Sequence, residues 1–268
     1  MATLFLYRVS DQVDMFLSDR NGGILLSEIR KLLLERKSLY DQDGLICGEG
    51  FTNITKLEYD GVHCIDCYCT TQSSLGYFYQ AQLDKGNVIT NRVQHLYFSR
   101  ANIKIASNGN LIIKFDWTSE EKAKSRVKEM IEMLGIELES FKITDSMLRY
   151  IQNHYHWTSA KIDKISKDGD KTKKVSYTID PADINSRSMV DEEYRDYGNI
   201  CHLNFEIQFP NDERHPNTSP MINVKLYREG GHRIVIIEEE FGNDKDQNVF
   251  QLYLTNELIR IKKESDGM

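Results

Sequence analysis

Apolar and polar residues alternate with period two most clearly between Asn102 and Trp117. Ile103 and Ile105 point one way, Asn108-Gly109 interrupts, and Leu111, Ile113 and Phe115 resume the alternation. Successive side chains on a strand face opposite sides, so this pattern predicts a β-hairpin with one buried face. Asp60-Gly61, lying between residues 54–59 and 62–69, predicts a second hairpin, because both central residues of a type I′ turn need positive φ and this dipeptide supplies it. Residues 1–8 and 76–83 read as further strands.

A helical period replaces the alternation elsewhere. Residues 13–18 and 23–37 are predicted helical, the second with Leu25, Ile29, Leu32 and Leu33 on one stripe. Thr118-Ser-Glu-Glu121 has the spacing of a capping box, and Ala123, Val127, Met130, Ile131 and Leu134 continue as an apolar stripe that Gly135 ends. Residues 145–154 read as a short helix.

In the second half, strands are predicted over 175–179 and 201–209. A hairpin over 221–227 and 233–241 turns at Glu229-Gly-Gly-His232, and a helix over 247–263 carries Phe250, Leu254, Leu258 and Ile261. Residues 191–196 and 210–220 read as loops, the first acidic, the second bearing proline. The expected fold is therefore α+β, with two lobes of antiparallel β-hairpins each closed by an amphipathic helix. The lobes span 1–160 and 175–268, and a lysine-rich connector, 161–174, joins them.

Bulk properties narrow the function classes. The chain has 268 residues and a formal net charge of −7, which argues against a surface that is basic throughout for nucleic acid. There is no basic leader followed by a signal-length apolar run, and no apolar stretch of spanning length. Five cysteines, three of them crowded at Cys64, Cys67 and Cys69, do not form a disulfide framework. A cytoplasmic protein without membrane contact is expected. The abundance of Ile, Lys, Asn, Asp and Tyr suggests a microbial or viral source.

Several groups of residues carry candidate chemistry. Cys64 and Cys67 have zinc-ligand spacing, but in a strand Cys67 and Cys69 share a face with Ile65 while Cys64 points away. No metal and no cofactor are expected. His154 and His156 could ligate a metal or, with Tyr155 and Trp157, stack on bases, although a packed helix end is the plainer reading. Beside them run Lys161, Lys164, Lys167, Lys171, Lys173 and Lys174. A basic loop next to aromatics suits phosphate and base contacts.

A Mg²⁺ nuclease would need an aspartate near an acidic-x-Lys pair. Asp196 with Glu206-Ile-Gln208 is the best fit, with Gln208 where lysine should stand and Lys225 as a substitute, while Glu120-Glu121-Lys122 falls in a helix start. Glu238 and Glu240 read as charges guarding an edge strand. Phosphate-loop, dinucleotide-turn, nucleophile-elbow and zinc-helix motifs do not occur.

Taken together, these readings predict a non-enzymatic binding or accessory subunit of a microbial or viral assembly, possessing a protein partner or forming a homo-oligomer, with a role in antiviral defence or counter-defence. Its leading expected ligand is nucleic acid, held by Tyr155, Trp157, Lys161, Lys164, Lys167, Lys171, Lys173 and Lys174. The alternatives are the Mg²⁺ nuclease and a protein–protein adaptor or acidic DNA mimic.

Overall fold

A computed structural model describes residues 1–10, 16–18, 23–116, 123–180, 188–210 and 219–267. Strands are β1 (Ala2–Val9), β2 (Gly50–Tyr59), β3 (Val62–Asp84), β4 (Asn87–Ala106), β5 (Asn110–Phe115), β6 (Leu138–Ser140), β7 (His156–Asp163), β8 (Lys174–Thr178), β9 (Asn199–Gln208), β10 (Met221–Tyr227) and β11 (Arg233–Ile236). Helices are α1 (Leu26–Glu35), α2 (Lys124–Glu132), α3 (Asp145–His154), α4 (Met189–Tyr194) and α5 (Asp244–Asp266).

Two lobes of hairpins do not form. The strands join one open antiparallel sheet of eleven, in the order β2-β3-β4-β5-β1-β11-β10-β9-β7-β8, with β6 on β1. The predicted hairpins are present, yet the sheet also needs pairings that leave no local mark in the sequence: Leu4 of β1 pairs with Ile234 of β11. Two compact units are built on these strands, residues 9–138 and residues 1–8 with 139–268.

In the 9–138 unit, Asp60 and Gly61 take φ of 50° and 72° at the β2–β3 turn, and Gly109 takes 83° at the β4–β5 turn. Ile103 pairs with Ile113 and Ile105 with Leu111, and all four are fully buried. On α1, Ile29 and Leu33 are buried against β2 and β3. The predicted capping box at 118–121 lies outside the described residues, but the stripe from Ala123 to Leu134 is buried and Gly135 takes φ 85° after α2. Residues 13–15 of the first predicted helix also lie outside them, and Ser18 forms a bridge with Ile24. At the start of β2, Gly50 is required, since a Cβ there would lie 2.5 Å from the Ser38 nitrogen.

In the other unit, Leu203, Phe205 and Ile207 of β9 are buried, and α3 packs on β9 and against α5. Thr144 caps α3 by accepting from the Met147 amide at 3.2 Å. The expected acidic loop at 191–196 is instead largely α4, capped by Ser188, which accepts from the Asp191 amide at 3.3 Å. Glu238–Glu240 form a 3₁₀ turn rather than a charged edge strand. The strand before them stops at Ile236 and has β1 on one side and β10 on the other, so it has no edge to guard.

Among the described residues of the 9–138 unit, Lys104 and Lys114 are buried, and Lys104 is the deeper of the two. Lys104 is 1% exposed, directly across the ladder from Asp66, with Nζ 3.2 Å from an Asp66 oxygen. Its ammonium also donates to Asn102 Oδ1, while Asn102 Nδ2 donates to Asp66 at 2.7 Å. Burial pulls the Lys104 pKa down and the Asp66 carboxylate opposes that shift. Removing one member of such a pair strands the other, whereas replacing the buried charge by an apolar chain is far cheaper. Asp66→Asn should lower the unfolding free energy by about 3 kcal/mol, and Lys104→Met by less than half of that; equal losses in urea titrations would contradict this account.

Candidate functional site

Beyond Thr70, β3 no longer has β2 beside it, and before Asn102, β4 has no pairing to β5. Between those limits β3 and β4 continue alone, paired from Gln72↔Phe98 to Asp84↔Asn87. Lys85 and Gly86 close the end with φ of 47° and 86°, a second type I′ turn. The result is a two-stranded arm over residues 72–97, roughly 40 Å long at ~3.3 Å per residue. Leu75 is bulged out of the ladder between the Ser74 and Gly76 pairings.

Both faces of the arm carry exposed apolar side chains among polar ones. Phe78, Val93 and Ile89 share one face with His95, whose ring meets Phe78 edge-on at 5.2 Å. Tyr77, Tyr79, Leu83 and Val88 share the other, where Arg92 lies 4.6 Å over the Tyr77 ring. Tyr79 is 76% exposed, Leu83 71% and Val88 75%.

The arm's root is anchored by charge. Glu49 accepts from Arg126 through Nε at 3.1 Å and Nη2 at 2.5 Å, and from the Gln72 amide at 3.0 Å. Beside it Ser38 and Thr70 hydroxyls are 2.7 Å apart. The Arg126 hydrogen bonds hold the Glu49 carboxyl below the usual glutamate value.

The 1–8 and 139–268 unit presents a different surface. Opposite the side of β9 that packs on α3 stand His202, Asn204 and Glu206, with Lys161 across on β7 and Lys225 and Tyr227 across on β10. His202 stacks on Tyr227 at 4.4 Å, and Arg233 covers that ring at 4.6 Å. Burial, followed by Lys225, Lys161 and Arg233, pushes the His202 pKa down to about 4, so the ring is neutral at physiological pH. His202 Nε2 and Asn204 Oδ1 are buried without a hydrogen-bond partner among the described residues.

Next to this face, donor atoms of Asp163, Cys201 and Glu229 lie within 4.8 Å of one another. Burial and then the hydrogen bond to Glu229 raise the Asp163 pKa, and the same bond lowers that of Glu229. Lys174 Nζ stands 3.3 Å from the Glu229 carboxylate. A divalent ion would have to displace that ammonium, and the group fits an internal ion-pair network better than a metal centre.

The expected nucleic-acid residues are only partly gathered. Lys161 and Lys174 lie near this network. Lys167 is ion-paired to Glu193, with its ammonium 5.7 Å and 5.1 Å from the Tyr194 and Tyr197 ring centroids. Lys164, Lys171 and Lys173 are exposed. Tyr155 packs edge-on to Phe205 at 5.7 Å and accepts from Arg260 at 2.8 Å, and Trp157 meets Tyr177 edge-on at 6.0 Å.

The other candidates are separated. His154 engages the Tyr150 carbonyl oxygen at 2.8 Å and His156 engages Glu206 at 2.8 Å, so the two rings have different partners. Asp196 precedes β9 while Glu206 lies near its far end, so the proposed nuclease carboxylates are held roughly 20 Å or more apart by strand rise alone. Glu120-Glu121-Lys122 lies outside the described residues. Cys67 and Cys69 lie on the Ile65 face and Cys64 on the other; burial pushes the thiols of Cys64 and Cys69 up to about 12.

Sequence reasoning marked 76–83 as a strand but gave it no partner. The available signal was Lys85-Gly86 between two long β-rich runs, and it was obscured because both faces of the arm carry apolar residues. No helix among the described residues is long and apolar enough to cross a membrane. No protein-family model matches this sequence, and no curated protein matches it either.

The root anchor makes a pH-dependent expectation. A carboxyl whose folded pKa is depressed stabilises the fold above its unfolded pKa, and that stabilisation is lost as pH falls through the folded value. Arg126→Ala should cost about 1 kcal/mol at neutral pH, a small figure because both partners are partly solvated. The cost should shrink below the ordinary glutamate range; denaturation at neutral and acid pH giving the same loss would exclude Glu49 as the titrating partner.

Proposed function

We propose that this chain is a non-enzymatic assembly protein that docks a protein partner through its arm. The observation that carries the reading is the isolated two-stranded ribbon over 72–97 with large apolar side chains exposed on both faces. A lone hairpin is marginally stable in water, and contiguous apolar patches of this kind mark interaction surfaces. Its charges are few: Asp84, Lys85 and Arg92. Arms that grip nucleic acid neutralise several phosphates, so this composition suits a protein surface better.

The test is a size comparison in an extract of cells producing the tagged chain. Wild type should elute well above its own mass of 31.2 kDa, and a Tyr79→Ser, Leu83→Ser, Val88→Ser variant should elute as the free chain. Identical profiles for the two proteins would sink the arm reading, and the exposure of all three residues makes misfolding an unlikely confounder that circular dichroism can check.

A second reading has one observation in its favour. Lys161, Lys225 and Arg233 surround His202 on the uncovered side of β9, where they supply positive charge for phosphate contacts. Tyr227 is sandwiched between His202 and Arg233, so base stacking on that ring is not offered. On this reading, Lys161→Ala with Lys225→Ala weakens single-stranded nucleic-acid binding about tenfold and lowers the slope of log affinity against log salt by roughly two. Mobility shifts at two salt concentrations check it, and an unchanged slope would remove this surface from consideration.

A further inference from the structure

On one face of the arm the side chains change in kind near the tip. On the face shared by Tyr77, Tyr79, Leu83 and Val88, the pair Ala81↔Thr90 lies between the tyrosines on the root side and the Leu83↔Val88 pair at the tip side. Small side chains thus occupy the centre, two rings with Arg92 and Gln94 across from them one flank, and two branched aliphatic chains the other. A two-fold axis through the Ala81↔Thr90 pair, perpendicular to the arm, carries each flank onto the opposite flank of a second copy.

The spacing suits that operation. Strand residues of one face recur every second position, so the Leu83 level lies two residues from Ala81 on one side, as Tyr79 does on the other. Staggering the two arms slightly about the axis lets Leu83 and Val88 seat between the partner subunit's Tyr77 and the partner subunit's Tyr79. An isologous contact requires this reciprocity, in which each patch is its own complement.

We propose that the arm's occupant is a second copy of this chain, with two arms crossing antiparallel at Ala81 and Thr90. The inference rests on the docking reading above and names its partner. The exposed apolar side chains of this face amount to on the order of 500 Å² per copy, or about 1,000 Å² in total, near the lower bound for a specific interface. Ala81 is exposed and small, which allows close approach of the two backbones and leaves the position free for substitution.

The experiment uses the full chain with exposed Cys47 changed to Ser, leaving Cys64, Cys67, Cys69 and Cys201 buried. In that background Ala81→Cys should give a disulfide-linked dimer under mild oxidation, much faster than Asp60→Cys at the turn between β2 and β3. Sedimentation of the purified wild type should show a reversible dimer, and Ala81→Glu should raise its dissociation constant about tenfold or more. A purified chain that stays monomeric at high micromolar concentration overturns the second-copy inference, while a larger complex in extract would leave arm docking standing. A dimer indifferent to Ala81→Glu overturns the arm as its interface.

Discussion

The β3–β4 ladder is the interaction on which this molecule depends. It runs without a change of partner from Cys64↔Ala106 in the core to Asp84↔Asn87 at the tip. At its inner end the ladder is flanked by β2 and β5, and its side chains are buried; at its outer end the same hydrogen bonds continue with water on every side. Backbone pairing alone does not require that continuation, since an isolated ribbon has little reason to persist in water. The inner half supplies the fixed end that makes the outer half a ribbon at all, and Glu49 ties the junction to α2 through Arg126.

Charge is handled differently in the two units. In residues 9–138 it is drawn inward: Lys104, Asn102 and Asp66 form a satisfied cluster across neighbouring strands, and their mutual hydrogen bonds compensate an otherwise costly burial. In the other unit it gathers at a half-exposed sheet face, where burial, reinforced by Lys225, Lys161 and Arg233, keeps His202 neutral. Asp163 and Glu229 are hydrogen-bonded there, and Lys174 is ion-paired with Glu229.

Local elements were legible in the sequence and their partners were not. Asp60-Gly61 and Asn108-Gly109 announced their turns because positive φ is a property of the residues themselves, and residues 145–154 announced a helix by its stripe and its Thr144 cap. The pairing of β1 with β11 joins residues more than two hundred positions apart and has no local signature, so two hairpin lobes were expected where one sheet forms. The lysine series misled in a related way. Its even spacing suggests one stripe, but a strand, a loop and a second strand distribute it, and Glu193 and Glu229 neutralise two members. The arm escaped notice because alternation identifies a strand by its single buried face, and a ribbon that buries neither has none to identify.

The bulge at Leu75 offsets the numbering of β3 against that of β4 along the arm. β4 alternates unbroken through this region, whereas the extra residue shifts the parity of β3, so that odd-numbered residues opposite odd ones in the core become odd opposite even ones beyond it. Loss of that one residue would restore unbroken alternation in β3 and leave every pair from Gly76↔His95 to Asp84↔Asn87 on its present face. The surface the arm presents is therefore set by the Lys85-Gly86 turn and by β4, and a residue gained or lost at position 75 is absorbed at the junction before it reaches either the tip or the core.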